Sequence, residues 1–383
     1  MEPMLPAEGV SPQAADLAVE LMAKASALET RLNPVVANSI SNLVRSMNCY
    51  YSNLIEGHNT HPRDIEKALE NDFSKDSNKR ELQLEAKAHI AVQSLIDNNQ
   101  MTFSFSTEYL LGLHEDFCAQ LPDALLCVPN PDSGEIVQVQ PGAFRQQWIQ
   151  VGRYIAPGPD DIPMFLDCFE EAYNSDHLTK VQRIIAVGAS HHRFLWIHPF
   201  LDGNGGVVRL FSHAFLRELG ICSGLWSIAR GLARNATSYK AALADADSPR
   251  RGDFDGRGAL SARGLEDFCT FFLNTCLDQV LYMDTLIEPT ELMRRIALYV
   301  EDEQSKGNLP KGSLAVLKEA FFSGEIARGQ IATITGYKER QARTVLNTLL
   351  KNKLLMSDTP RGPVRLNFPL DVVERWLPQL YPL

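Results

Sequence analysis

HPFLDGNGGVVRL, residues 198–210, decides how this chain folds. DGNGG cannot comfortably continue a helix, so it predicts a tight loop, and VVRLFSHAFLREL directly after it has helical periodicity. A glycine-rich loop feeding a helix N-terminus presents unpaired backbone N–H groups and the positive end of the helix dipole, a cradle suited to phosphates. Asp202 beside it offers the hard oxygen ligand that Mg²⁺ takes when it bridges nucleotide phosphates. His198, on the same loop, is placed to accept a proton from an attacking hydroxyl. Arg209, about two helical turns after Asp202, can face the same anion and grip a terminal phosphate through two N–H groups. Each residue alone has an ordinary structural reading. Their joint order points to phosphate-ester transfer from a nucleotide.

Outward from this loop, the first hundred residues read as helices. Apolar positions recur at three and four in ADLAVELMAKASAL, ISNLVRSMNCYYSNLI and KRELQLEAKAHIAVQSLI. Between Pro122 and Pro163 the texture turns rich in Pro and Gly, and EIVQVQ after PDSG predicts a short hairpin. Helical texture resumes from Met164 through Leu219, and again in LEDFCTFFLNTCLDQVLYMDTLI. The tail predicts helix, helix, short turn, helix, strand, turn, strand, from SLAVLKEAFF to VRLNF.

At 383 residues, with 45% hydrophobic and 22% charged residues, the chain has the composition of a soluble globular protein of two or three domains. No run of about 18 apolar residues could span a bilayer, so no membrane is expected as a partner. The start lacks the basic and then apolar segments of a secretory signal, and the seven cysteines are scattered and never spaced C-x-x-C. A cytoplasmic protein without a zinc site is expected. Net charge is −10, unevenly spread: from Pro310 onward there are 11 Lys and Arg against 6 Asp and Glu. A basic tail follows an acidic body.

HPFLDGNG and Arg209 resemble the signature of the Fic family, HxFx(D/E)GNGRxxR. The lead-in HHRFLWIHPF and the upstream PGAFRQQWIQVGRYIAPGPDDIPMFLDCFEEAY are similar to that family's helix and hairpin flap, and the resemblance covers roughly residues 40–285. It implies a mainly α fold: a Fic-type helical bundle with a β-hairpin flap, carrying an N-terminal helical region over 1–100 and a catalytic core over 101–288. It further implies that His198 deprotonates a Ser, Thr or Tyr hydroxyl of a target protein. That oxygen attacks the α-phosphate of ATP, leaving AMP on the target and releasing pyrophosphate. Phe200 is then buried to fix the loop, Asp202 holds Mg²⁺, Gly203, Asn204 and Gly205 line the anion nest, and Arg209 grips the γ-phosphate. The flap near Gln147 to Ala156 pairs with an extended target segment by strand addition. Asn235 and Tyr239 in RNATSY are the candidates for adenine contacts.

SNLIEGHNT, residues 52–60, resembles the family's inhibitory pattern (S/T)xxxE(G/N) through Ser52, Glu56 and Gly57. A carboxylate near Arg209 would form a charge-assisted pair in the place of the γ-phosphate and misalign ATP. The same six residues also read as a helix C-terminus closed by glycine.

Gly206 departs from the signature, which has an arginine there. Three explanations stand. Arg230 or Arg234 in SIARGLARN substitutes; the enzyme takes a different nucleotide or mainly removes AMP; or the site binds nucleotide only as a signal, in a catalytically weak transcription regulator. The family's death-on-curing branch, which moves a terminal phosphate, typically has ANK-like residues where GNG stands here, so nucleotidyl transfer is favoured.

Residues 289–383 resemble a winged-helix (α+β) domain. Val345, Leu346, Leu349 and Leu350 fall on one side of its last long helix, with Lys338, Arg340, Arg343 and Lys351 on or near the other and Arg361 in TPRGPVRLNF at the tip of a wing. Such a face suits DNA phosphates, while a protein-interaction or homodimerisation module is the alternative.

Overall fold

The computed structural model describes residues 4–6, 11–129, 134–152, 154–174 and 176–381. The chain is mainly helical, with three small antiparallel sheets. In order run α1 (Pro12–Glu29), α2 (Pro34–Ile55), α3 (Pro62–Leu69), α4 (Ser77–Asp97) and α5 (Thr107–Cys118). Two hairpins follow, β1 (Cys127–Pro129) with β2 (Ile136–Gln138), and β3 (Gln150–Val151) with β4 (Tyr154–Ile155). Then come α6 (Ile162–Tyr173), α7 (Lys180–Ile197), α8 (Asn204–Glu218), α9 (Ile228–Arg234), α10 (Ala236–Ala246) and α11 (Ala262–Leu286). The tail holds α12 (Pro289–Ser305), α13 (Ser313–Ser323), β5 (Glu325–Ile326), α14 (Ile331–Thr335), α15 (Glu339–Lys351), β6 (Leu355–Met356), β7 (Val364–Leu366) and α16 (Leu370–Trp376). Among the described residues no helix is long and apolar enough to cross a membrane.

The contacts divide the chain into two units. One comprises 1–24, 48–222 and 227–279; the other 25–47, 223–226 and 280–383. Residues early in the chain join the second unit for identifiable reasons. Arg31 makes a two-pronged ion pair with Asp284, Asn33 donates to the carbonyl of Phe322, and the Tyr381 hydroxyl donates to the carbonyl of Leu43.

Within the first unit, α7 is buried from Ile184 to Ile197 apart from Leu195, with a run of small residues, Ala186 to Ser190, at its middle. A Cβ on its Gly188 would lie 3.2 Å from the Cα of Cys269, so glycine there lets α11 approach closely. Thr179 and Gln182 close the start of α7 with a reciprocal capping box. An aromatic cluster of Phe103, Phe105, Tyr109, Phe169, Tyr173, Phe211 and Phe215 packs beneath α8. These rings fix the helix that follows the glycine loop.

Within the second unit, β5, β7 and β6 form one sheet with β7 central, registered Ile326 to Val364 and Leu355 to Leu366. The strand β5 was not expected from sequence; at two residues it is too short to carry a period. Val345, Leu346 and Leu349 are buried as expected, and Leu350 is half-buried.

Candidate active site

Helix α7 ends at Ile197 because the next residue turns left-handed: His198 has φ 51° and donates its N–H to the carbonyl of Phe194. The loop after it is held from two sides. Phe200 is fully buried and stacks face to face on the ring of His114, centroids 3.9 Å apart. Asn204 clasps the same residue, its Oδ1 accepting from the Phe200 N–H at 3.0 Å and its Nδ2 donating to the Phe200 carbonyl at 2.8 Å. The Asn204 side chain therefore shapes the nest from behind rather than facing an anion. Gly203, at φ 79°, starts α8, and its N–H donates to Oδ1 of Asp202. The first N–H groups of α8 have no intrahelical acceptor, and Gly203 to Gly206 line the cavity in front of them.

Arg209, two turns on, is buried, and two of its three guanidinium nitrogens are engaged by Ser52 and Glu56. Nε donates to the Ser52 hydroxyl at 2.7 Å, and Nη2 donates to the Ser52 carbonyl at 3.2 Å and to Oε1 of Glu56 at 2.7 Å. Ser52 and Glu56 reach it together because a spacing of four puts them on one face at the end of α2. That end is also closed by glycine: Gly57 has φ 88°, and the His58 N–H donates back to the Asn53 carbonyl. Both readings of SNLIEG describe the same turn. A Cβ on Gly205 would lie 2.1 Å from Oε1 of Glu56, so any larger residue there would push the carboxylate out of its present position. At Gly206 a Cβ would meet nothing within 4 Å.

Two cavities, of about 600 and 590 Å³, open on either side of this point and share His198, Gly205, Arg209 and Glu56. The first is walled by α4 and α5, the second by the β3–β4 hairpin, Trp196 and α10. Tyr239 lines the second, buried, with its hydroxyl bonded to the ring of His191 at 2.8 Å. Asn235 is not brought there: it is exposed, and its side chain donates to the Gly231 carbonyl. Arg230 and Arg234 line neither cavity. Arg230 is buried against Gln279 and the ring of Tyr51, whereas Arg234 is exposed.

Burial, aided by the positive charge of Arg145, pushes the His198 imidazole down to about 4, so the ring is a free base at neutral pH. Burial opposes ionisation of Glu56, but the Arg209 guanidinium outweighs it and holds the carboxyl below its usual range. Asp202 is pushed the other way, by burial and the nearby carboxylates of Glu85 and Glu56. Among the described residues no three His, Cys, Asp or Glu side chains stand close enough to hold a metal alone. That donor set fits Mg²⁺, which binds through one or two carboxylates and completes its shell with phosphate oxygens and water.

Sequence reasoning missed Arg145. It is 2% exposed and donates to the carbonyls of His198, Gln147, Pro157 and Ile197, tying the base of the β3–β4 hairpin to the loop after α7. It missed as well the ion pair of His58 with Glu85, 2.9 Å, and His89, all three lining the first cavity. No local pattern marks these residues. Arg153, inside the expected flap, and Pro131 to Ser133 of PDSG lie outside the described residues.

Residues 104–216 match the Fic/DOC family. Protein adenylyltransferase Fic of Drosophila erecta is 33% identical over 87 residues, 23% of this chain and 18% of that protein, and its counterpart in Drosophila melanogaster has the same identity and coverage. The chain thus spans less than a fifth of the length of these relatives. A Fic family protein from Desulfovibrio desulfuricans superposes with a TM-score of 0.56 at 18% identity, covering 95% of this chain and 98% of that one. A Fic domain containing signaling protein from Bacteroides thetaiotaomicron gives 0.52 at 17% identity, covering 70% and 96%. These two likenesses concern the fold. With the motif loop seated between α7 and α8 inside the matched stretch, residues 104–216 form a Fic/DOC family domain.

Proposed function

We propose that this protein transfers AMP from ATP to a Ser, Thr or Tyr hydroxyl of a target protein, and that Glu56 restrains the transfer through Arg209. The observation that carries the reading is the 2.7 Å pair of Glu56 with Arg209, set against the glycine cradle beside an unprotonated His198. His198 takes the proton of the target hydroxyl. The resulting oxygen forms a bond to the α-phosphorus as the bond to the β-phosphate oxygen breaks, and pyrophosphate leaves. Backbone N–H groups of Asn204 to Gly206 cradle the phosphates, and Arg209, once released by Glu56, grips the terminal one. Asp202 would hold Mg²⁺, which when bound neutralises phosphate charge. The second cavity, with Tyr239 in its wall, suits the adenine, and exposed Trp148, Val151 and Ile155 on the hairpin suit an extended target segment.

The test is Glu56→Gly protein with α-labelled ATP and Mg²⁺, beside the same protein carrying His198→Ala. Label on protein that depends on His198 supports the reading. Its absence, with ATP still bound, turns the reading to AMP removal or nucleotide sensing.

We also propose that residues 289–383 act as a winged helix on DNA. Lys338, Arg340, Arg343 and Lys351 are exposed on or beside α15, and Arg361 is exposed between β6 and β7. Duplex affinity should then fall steeply with salt; salt-independent binding, or none, leaves protein interaction instead.

A further inference from the structure

The first cavity is lined by two residues whose buried side-chain nitrogens have no hydrogen-bond partner in the protein. His89, on α4, is 1% exposed, and neither ring nitrogen has a hydrogen-bond partner. Nδ2 of Asn53, in a residue 3% exposed near the end of α2, is equally unpartnered. Both residues line the cavity that Arg209 and the glycine cradle also line. A buried polar group left without a partner is costly, and natural folds keep few of them. Two that border one cavity mark a place where a ligand completes the bonds.

The chemistry of the pair narrows the ligand. The Asn53 amide nitrogen can only donate. His89 is held neutral by burial and by the charges of Arg209 and His213, its pKa down to about 3, so it offers one N–H without adding charge. Two neutral donors beside a guanidinium suit the oxygens of a phosphate chain. Glu81, Glu85 and Asp202 line the same cavity, so a polyanion enters accompanied by a cation.

We infer that Asn53 and His89 bind the polyphosphate end of the nucleotide, the part that departs as pyrophosphate, and so take the place of the side chain that Gly206 lacks. The inference rests on the proposed binding of ATP at this site, but not on transfer taking place.

The test is calorimetric titration of Glu56→Gly protein, in which the cavity is free, with Mg²⁺-ATP, Mg²⁺-pyrophosphate and AMP. His89→Leu and Asn53→Leu, introduced separately, should each weaken ATP and pyrophosphate binding about tenfold, the scale of one hydrogen bond to a charged oxygen. Binding of AMP should stay within about twofold, and His89→Gln, which keeps a donor, should recover most of the loss. Unchanged affinity for all three ligands, or equal weakening of AMP and ATP, overturns the inference; the two donors then meet only water. The two variants lie on different helices, so either one that folds decides the matter. If the selective loss is seen in a protein that labels nothing, the inference stands and the proposed transfer falls.

Discussion

Oε1 of Glu56 lies 2.7 Å from Nη2 of Arg209, across 153 residues of chain. The arginine is 2% exposed and also holds both the hydroxyl and the carbonyl of Ser52, so its position is set by α2 before any nucleotide arrives. Removing the carboxylate should leave that position intact and free one edge of the guanidinium. Glu56→Gly is expected to raise automodification with labelled ATP on the order of ten- to a hundredfold, by restoring alignment rather than by adding a contact. Glu56→Gln, which keeps the size and loses the charge, should fall between the two. Initial rates at saturating ATP and Mg²⁺ decide; equal rates for all three proteins would sink the proposed restraint.

Adjacent glycines in α8 make opposite predictions. At Gly206 there is open space for a side chain. Gly206→Arg should therefore fold without loss and tighten ATP binding by about 1.5 to 3 kcal/mol, the range of a hydrogen bond to a charged group. At Gly205 even a methyl would collide with the Glu56 carboxylate. Gly205→Ala should destabilise the parent and do so less in a Glu56→Gly background, a coupling that a four-protein thermal unfolding cycle measures.

Arg145 donates to four carbonyls, those of His198, Gln147, Pro157 and Ile197. Arg145→Met removes every one of those bonds while keeping most of the bulk. A loss of about 3 kcal/mol or more in urea unfolding is expected, since each orphaned acceptor alone costs on the order of 1 kcal/mol. A change below about 1 kcal/mol would mean that the hairpin base and the loop after α7 hold together by other means.

Three buried histidines should shape stability on the acid side. Burial is the main cause in each: it lowers His89 to about 3 and His114 and His198 to about 4, while an unfolded chain titrates near 6.5. These folded-state values are depressed, so below 6.5 the unfolded state binds more protons and stability falls as pH drops from 6.5 towards 4. At most, each group contributes about 1.4 kcal/mol per pH unit in that window. Melting temperatures measured from pH 7.5 to 4.5 should decline more steeply for the parent than for His89→Leu. Because His198 is already a free base at neutrality, the transfer rate should be flat from about pH 6 to 8, with its acid limb set by unfolding.

The parts of the site that are contiguous in sequence were legible: the glycine loop, the helix it feeds, His198, and the four-residue spacing of Ser52 and Glu56. Local chain geometry is enough to bring those together. Asn204 was named with the loop, but the direction of its amide was not legible, because whether it faces a cavity or its own backbone depends on the residue behind it, here Phe200. Asn235 and Tyr239 were read as a pair, yet one is spent at the end of α9 while the other is buried in the cavity wall. Arg145, His89 and the His58 to Glu85 pair carry no signal at all, since their meaning comes from partners dozens of residues away. The grouping of residues 25–47 with the tail was hidden for the same reason.

The left-handed turn at His198 carries a stability cost. A residue with a Cβ held at φ 51° sits where glycine would be favoured by about 1 kcal/mol. Replacing it with glycine should make the protein harder to unfold, so under the proposed function stability and chemistry pull this position in opposite directions.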